Sequence, residues 1–310
     1  MSGNPRILIL GTQGQLGIEL QRAFADAGEV TAYARDFCDF SKPETIRKTI
    51  ASVRPELVLN AAAYTAVDRA ESEPELAMTV NGEAPGVLAE ETRKLGAQLV
   101  HYSTDYVFDG SKDAPWVEED PTNPLSEYGK TKLAGERNIE QAGGRYLIFR
   151  TSWVFSPHGH NFLRTMLRLG QERDRLNVVN DQSGAPTTAA ALAKATREAV
   201  DFLQNRKSDE KNEDSSGIYH MTCAGSTTWC GFAEAIFRKS RVPGEKPWPV
   251  VAGIPTEGYP TPAKRPKNSV LSNQKLLDQF GIALPDWDLA LDETLRALDL
   301  LSGDQAAMKK

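Results

Sequence analysis

Arg6-Ile-Leu-Ile-Leu-Gly11-Thr-Gln-Gly14-Gln-Leu-Gly17 is the stretch on which the fold turns. A compact apolar run, Arg6–Leu10, stops at Gly11, and from Gln15 the apolar positions change period. Leu16, Leu20, Ala23, Phe24 and Ala27 recur at i, i+4, i+7, i+8 and i+11, one helical face ended by Gly28. Three glycines between a strand and a helix let a turn tighten and its backbone approach a pyrophosphate. The helix N-terminus then offers free N–H groups and a partial positive charge. The spacing of Gly11, Gly14 and Gly17 leaves one more residue between the first two than the commonest dinucleotide loop.

Working outward, strand and helix signals keep alternating. Residues 30–34, Leu57–Asn60, 97–103 and 146–150 read as strands. Residues 42–53, 75–95 and 127–141 read as helices, the first entered through Ser41 as a cap before Pro43 and Glu44. Short apolar strands separated by helices imply right-handed crossovers and a sheet covered on both faces. The expected class is α/β, a doubly wound, Rossmann-like parallel sheet with a smaller C-terminal α/β substrate domain. Residues 1–155 form the dinucleotide-binding part, completed by about 176–222. Residues 156–175 and 223–310 form the substrate-binding part.

Past residue 155 the alternation loosens. Residues 161–170, 189–204 and 228–238 read as helices, with short strands at 176–179 and 218–221. The charged, serine-rich run 206–216 lacks apolar anchors and reads as a surface loop. A proline-rich stretch runs from Pro243 to Pro266, and a last helix carries Leu289, Leu291, Leu295, Leu298 and Leu301.

Composition excludes several classes. The 310 residues carry a net charge of −6, which offers no pull toward nucleic acid or anionic lipid. The apolar run 7–10 is far too short to span a bilayer or serve as a signal core. Three scattered cysteines, Cys38, Cys223 and Cys230, do not make a disulfide framework, so a cytoplasmic enzyme is expected. His158 and His160 lie in a turn without acidic or cysteine neighbours and read as plain loop, so no metal site is expected there.

The chemistry comes from three later residues. Thr104 follows the fourth strand, and Tyr128 and Lys132 sit four apart on one helix face. Doubly wound sheets present ligands at such strand ends. A nearby ammonium would lower the phenol from about 10 toward neutrality and let Tyr128 donate a proton to a developing alkoxide. Thr104 would hold the carbonyl for hydride attack, and Lys132 would also bond the nicotinamide ribose. Taken singly, each residue has a plainer reading, as turn cap, half-buried aromatic or solvated cation. Their order behind the glycine loop favours a carbonyl reductase. Around the second strand's end, Ala34-Arg35-Asp36 offers Arg35 to a 2′-phosphate, so NADPH is expected, with NADH tolerated.

Gly11-x-x-Gly14-x-x-Gly17, Thr104 and Tyr128-x-x-x-Lys132 together resemble the extended short-chain dehydrogenase/reductases. Longer stretches narrow the likeness: Asn60-Ala-Ala-Ala-Tyr-Thr-Ala-Val-Asp68, His101-Tyr-Ser-Thr-Asp-Tyr-Val-Phe-Asp-Gly110, Phe149-Arg-Thr-Ser-Trp-Val154, Asn180-Asp-Gln-Ser-Gly-Ala-Pro-Thr187 and Tyr259-Pro-Thr-Pro262 with Arg265-Pro266. These resemble the dTDP-4-dehydrorhamnose reductase family from about residue 6 to about residue 300. The resemblance implies reduction of a dTDP-4-keto-6-deoxysugar at C4, with Tyr128 as proton donor, Lys132 as its partner and Thr104 beside the carbonyl. It also implies Gly14, Gln15 and Leu16 on the pyrophosphate, Asp39 and Phe40 against the adenosine, and Ala63, Tyr64 and Thr65 along the coenzyme. Asp105 and Trp153 would meet the sugar nucleotide, the indole face suiting a deoxysugar. Arg265, in a basic loop, is the expected cation for the diphosphate.

One departure concerns magnesium. Some members dimerise around magnesium held by glutamates, one of them near a position that is Ala190 here, although Asp292 and Glu293 remain. That counts against magnesium and leaves a homodimer open. A 4,6-dehydratase is disfavoured because Thr104-Asp105-Tyr106 lacks a second carboxylate. A sugar-nucleotide 4-epimerase and a non-catalytic, NADP-binding regulatory subunit stay open.

Overall fold

The first strand, β1 (Arg6–Leu10), feeds two layers at once. Ile7 and Ile9 join one buried cluster with Leu20 and Phe24, whereas Leu8 and Leu10 join another with Ile46 and Ile50. A strand covered on both faces has no polar alternation to show, hence its unbroken apolar run. The structure is a computed structural model and describes residues 4–205, 215–241 and 247–302.

After β1 come α1 (Gln15–Ala23), β2 (Glu29–Tyr33), α2 (Pro43–Val53), β3 (Leu57–Asn60), the short α3 (Val67–Ala70) and α4 (Pro74–Met78), and α5 (Ala84–Leu95). They are followed by β4 (Gln98–Thr104), α6 (Glu127–Ala142) and β5 (Arg145–Thr151). The chain continues through β6 (Val154–Phe155), α7 (Phe162–Glu172), β7 (Arg175–Val179), β8 (Ser183–Gly184), β9 (Thr187–Thr188), α8 (Ala189–Asn205) and β10 (Gly217–His220). Last are β11 (Thr227–Thr228), α9 (Trp229–Lys239), β12 (Val250–Ile254), α10 (Gln274–Phe280) and α11 (Trp287–Ala297).

The main sheet runs β2-β1-β3-β4-β5-β10, every neighbouring pair parallel. Strand order reverses between β1 and β3, which opens a crevice at their carboxyl ends. The fold is therefore the Rossmann-like doubly wound sheet expected. α1, α8 and α10 contribute to the cluster on one face, and α2, α5 and α6 to that on the other. A separate cluster joins Phe155, Leu163 and Leu167 to Phe232, Ile236 and Leu291.

Several local expectations are corrected. α1 ends at Ala23, four residues early, because Phe24 to Ala27 curl into a turn. Phe24 still packs into the core and Ala27 against it. Ser41 does not cap α2: its N and Oγ both donate to Asp39 Oδ1, and the cap residue is Lys42. The helix expected over 75–95 is interrupted by a π-helical turn, Thr79–Glu83. Leu289, placed on the last helix's apolar face, is 59% exposed. β12 was hidden in the proline-rich stretch and pairs in parallel with β7. Of the loop expected at 206–216, residues 206–214 lie outside the described residues.

Candidate active site

The turn between β1 and α1 can be built only with glycine at two positions. Gly11 has φ +78°, and a Cβ there would lie 2.5 Å from Ala62 N at the head of the β1/β3 crevice. A Cβ on Gly17 would overlap the Gly11 carbonyl oxygen. Gly14 is the N-cap of α1 and supplies no side-chain cap, so the first N–H groups of the helix keep their donors for an anion. The residues present thus fit a dinucleotide: a cradle without side chains and an open helix end at the switch point. Gln15 adds a link, its Oε1 accepting from Ser156 Oγ at 3.0 Å and Asn161 Nδ2 at 2.8 Å. Leu16 packs against the core instead of facing outward.

At the end of β4, Thr104, Asp105 and Tyr128 converge. Thr104 Oγ1 donates to Asp105 Oδ1 at 2.9 Å and accepts from Tyr106 N at 3.1 Å. Tyr128 stands in the first turn of α6, where Ser126 Oγ caps Gly129 N at 3.2 Å. Its half-buried ring meets Tyr106 edge-on, centroids 6.1 Å apart. Burial and then the Asp105 carboxylate raise the phenol above its ordinary value, against a hydrogen bond with Thr104 that lowers it. Asp105 is 2% exposed and pushed up to about 7 by that burial, against the lowering effect of the Ser269 and Thr104 hydroxyls. Its Oδ2 has no partner.

The lowering of Tyr128 by Lys132 is corrected. Lys132 is 2% exposed, and its amine turns beneath α6 toward β4. Nζ donates to the Tyr102 carbonyl at 2.6 Å and lies 3.2 Å from His101 Nε2. Burial brings the amine down to about 8, opposed by Glu136. The balance on the phenol is upward because desolvation and Asp105 act on it directly.

The other expected residues divide. Asp39 accepts from Ser41 and lies 3.3 Å from Arg35 Nε, in the segment between β2 and α2. The Phe40 ring is 4% exposed and packs in the core with Ile46 and Ile50, which leaves its backbone as the part that would face the crevice side of β2. Of Ala63, Tyr64 and Thr65, Tyr64 is held hardest. Asn81 bonds both its N (2.8 Å) and its carbonyl (2.9 Å), and the hydroxyl donates to Glu73 Oε2 at 2.6 Å.

Trp153 adopts φ +47° and stacks on Trp229, centroids 3.5 Å apart and 8° from parallel. One indole face expected to meet a sugar is therefore covered by protein. Arg265 is corrected as a free cation. Its fork lies on Asp68, Nη1–Oδ1 3.0 Å and Nη2–Oδ2 2.9 Å, and its charge acts on the Tyr106 phenol. Asp292, a residual magnesium candidate, pairs with Lys239 at 2.8 Å.

Four residues with a part in this arrangement escaped the sequence reading: Asn81, His101, Trp229 and Ser269. Asn81 lies in the π-helical turn, where a Cβ on Gly135 would overlap its carbonyl oxygen, and no sequence signal marks it. His101 sits on β4 three residues before Thr104, where spacing alone does not show that it is buried beside Lys132, and Ser269 comes from a remote segment. Trp229 had a signal, an aromatic just inside a helix entered by Thr228, whose Oγ1 accepts from Gly231 N.

Comparison with known proteins agrees over nearly the whole chain. The model of the RmlD substrate binding domain matches residues 5–300. A dTDP-4-dehydrorhamnose reductase of Burkholderia thailandensis is 50% identical over 96% of this chain and 99% of that protein. One of Escherichia coli strain K12 is 45% identical over 94% and 97%. Among solved structures, a dTDP-4-dehydrorhamnose reductase of Bacillus anthracis in complex with NADP has a TM-score of 0.84 and 31% identity, covering 95% of this chain and 99% of that one. A UDP-glucose 4-epimerase of Brucella ovis, 17% identical at a TM-score of 0.75 over 96% of this chain and 99% of that one, shares the fold. With the glycine cradle, the Thr104–Asp105–Tyr128 convergence and these matches together, the chain belongs to the RmlD substrate binding domain family.

Proposed function

We propose that this chain reduces the C4 ketone of dTDP-4-dehydro-6-deoxy-L-mannose (dTDP-6-deoxy-L-lyxo-4-hexulose) to dTDP-L-rhamnose, using NADPH and accepting NADH less well. The observation that carries the reading is the phenol of Tyr128 brought beside Thr104 and Asp105 at the end of β4, in a sheet whose switch point holds the glycine cradle. When bound, the coenzyme supplies the hydride. Tyr128 keeps its proton at neutral pH because burial and Asp105 raise it, so it can give that proton to the ketone oxygen as charge develops there. Thr104 orients the same oxygen, and Asp105 holds Thr104 in place. Lys132 lies beneath the phenol's helix and would meet the coenzyme ribose.

Gly11, Gly14 and Gly17 would hold the pyrophosphate with the backbone of Gln15 and Leu16. Arg35, exposed beside Asp39, would meet a 2′-phosphate. Ala63, Tyr64 and Thr65 would border the coenzyme. Trp153, backed by Trp229, would border the sugar with its free surface, and Arg265 would reach the diphosphate only by leaving Asp68. The sheet would serve as the dinucleotide domain, and the cluster around Phe232 and Leu291 as the substrate domain. A cytoplasmic location follows from the reduced coenzyme. Among the described residues no helix is long and apolar enough to cross a membrane.

Incubation with NADPH and the dTDP-4-keto-6-deoxysugar tests the reading. Stoichiometric oxidation of NADPH supports it. Isomerised sugar without net oxidation would make the chain an epimerase, and binding without reaction a regulatory subunit. Turnover faster with NADH than with NADPH would overturn the coenzyme assignment.

A further inference from the structure

The loop that follows β6 is fastened to the dinucleotide turn through Gln15. After Val154–Phe155 the chain folds back through Ser156-Pro157-His158-Gly159-His160 and enters α7 at its cap, Asn161. Gln15, the first residue of α1, reaches into that loop. The helix cap settles the direction of the contact. Arg164 N donates to Asn161 Oδ1 at 3.0 Å, so Asn161 Nδ2 is the group that meets Gln15, 2.8 Å from Oε1. Because Nδ2 only donates, the Gln15 amide is fixed as well. Its Oε1 takes Asn161 and, at 3.0 Å, Ser156 Oγ, while Nε2 turns to the Val154 carbonyl at 3.5 Å. Every donor then faces an acceptor. Ser156 is 1% exposed and Asn161 7%, so water competes little for these bonds.

The two sides of this latch belong to the two parts of the site. The backbone of Gln15 lies in the coenzyme cradle. β6 follows Trp153 directly: the Trp153 carbonyl accepts from Thr187 N at 3.2 Å, and Val154 pairs with Thr187. Asn161 heads α7, whose Leu163 and Leu167 pack in the separate cluster with Phe232 and Leu291. We infer that Gln15 and Asn161 are positioning residues, whose side-chain latch sets the separation between the coenzyme cradle and the sugar wall at Trp153 and so presents the substrate carbon to the hydride. The presentation of that carbon rests on the reduction proposed above; the latch itself does not. Hydride transfer needs the reacting atoms held in one narrow geometry, and a shift of about 1 Å in one wall costs on the order of a hundredfold in rate.

The other contacts of the loop do not replace the latch. Ser156 Oγ with His158, and Arg164 Nη1 with the Pro157 carbonyl, tie the loop only to itself and to α7. His158 Nε2 lies 3.2 Å from Arg22 Nη1 on the exposed side of α1, where such a contact holds weakly. A Cβ on Gly159 would lie 3.4 Å from Gln15 Cγ, so the loop rests on the stem of the same side chain.

Gln15→Met keeps the length of the side chain and the backbone N–H groups of the cradle. Asn161→Ser keeps a residue that caps α7 while withdrawing Nδ2. Two readouts are taken on the full chain. Without coenzyme, hydrogen exchange followed by mass spectrometry should quicken about tenfold or more in peptides covering residues 154–161 of both variants, with peptides of β1 and β4 unchanged. In single turnover, with protein in excess over NADPH and saturating dTDP-4-keto-6-deoxysugar, NADPH oxidation should slow about tenfold to a hundredfold at full amplitude. The Kd for NADP⁺ should move by about threefold or less, since the backbone donors stay. A reduced amplitude at the wild-type rate would show only a smaller folded fraction and would overturn the inference. So would loop exchange or a single-turnover rate equal to wild type in the folded variants. Failure of the wild-type protein to oxidise NADPH would remove the functional reading, and with it the presentation of the carbon, while the exchange readout, which needs neither ligand, still decides the latch.

Discussion

Arg265 lies fork to fork on Asp68, joining the segment after β3 to the loop before α10 through two contacts of 3.0 and 2.9 Å. The pair sits against Tyr106, whose ring meets Tyr128 edge-on. A basic loop that looks free in sequence is thus part of the wall around the Tyr128 phenol. Arg265→Ala should raise the KM for the sugar nucleotide by about tenfold or more while changing kcat less, the scale of a lost charged hydrogen bond. An unchanged KM in steady-state kinetics would remove Arg265 from the substrate site.

Tyr128→Phe keeps the ring against Tyr106 and deletes only the proton. Turnover should fall by about 10²- to 10⁴-fold with the thermal melt little changed. Residual turnover within tenfold of wild type would mean that another group donates the proton.

Asp105 gives a pH signature. Burial lifts its carboxyl from 3.8 to about 7 in the folded chain, so the folded state binds the proton more tightly than the unfolded state. Its contribution is fully present below about 4 and is lost as pH rises through about 7. Asp105→Asn removes this dependence. The stability of the variant relative to wild type should therefore improve by an amount on the order of a few kcal/mol between pH 4 and pH 8, measured by urea unfolding at each pH. A constant difference would mean that Asp105 titrates normally.

Gly17→Ala should lose more than Gly14→Ala. The first places a methyl on the Gly11 carbonyl, whereas the second brings it only to 3.3 Å of the same oxygen. A cost of about 1–3 kcal/mol in folding, with weakened NADPH binding by fluorescence titration, is expected for Gly17→Ala. Equal effects at both positions would mean that the turn relaxes freely.

Trp229→Ala uncovers the Trp153 indole, whose φ of +47° already sets it in an uncommon conformation. The KM for the sugar nucleotide should rise more than the KM for NADPH, and Trp229→Phe should restore most of the loss. Parallel rises in both would point to general loosening.

Sequence alone determined the layer order and the cradle. A strand buried on both faces must be apolar throughout, a helix must repeat its apolar face every three to four residues, and a turn that meets a neighbouring backbone must use glycine. Those are local constraints, and Arg6 to Gly28 carries all of them. The candidate trio, Thr104, Tyr128 and Lys132, was legible for the same reason, as a strand end followed by an i, i+4 pair. Tertiary structure decided the charge states and the contacts. Lys132 meets His101 across 31 residues, Arg265 meets Asp68 across 197, and Trp153 stacks on Trp229 of α9. Whether a lysine is solvated or buried, or an arginine free or paired, depends on desolvation and on partners brought together only by folding, and neither is written in local spacing.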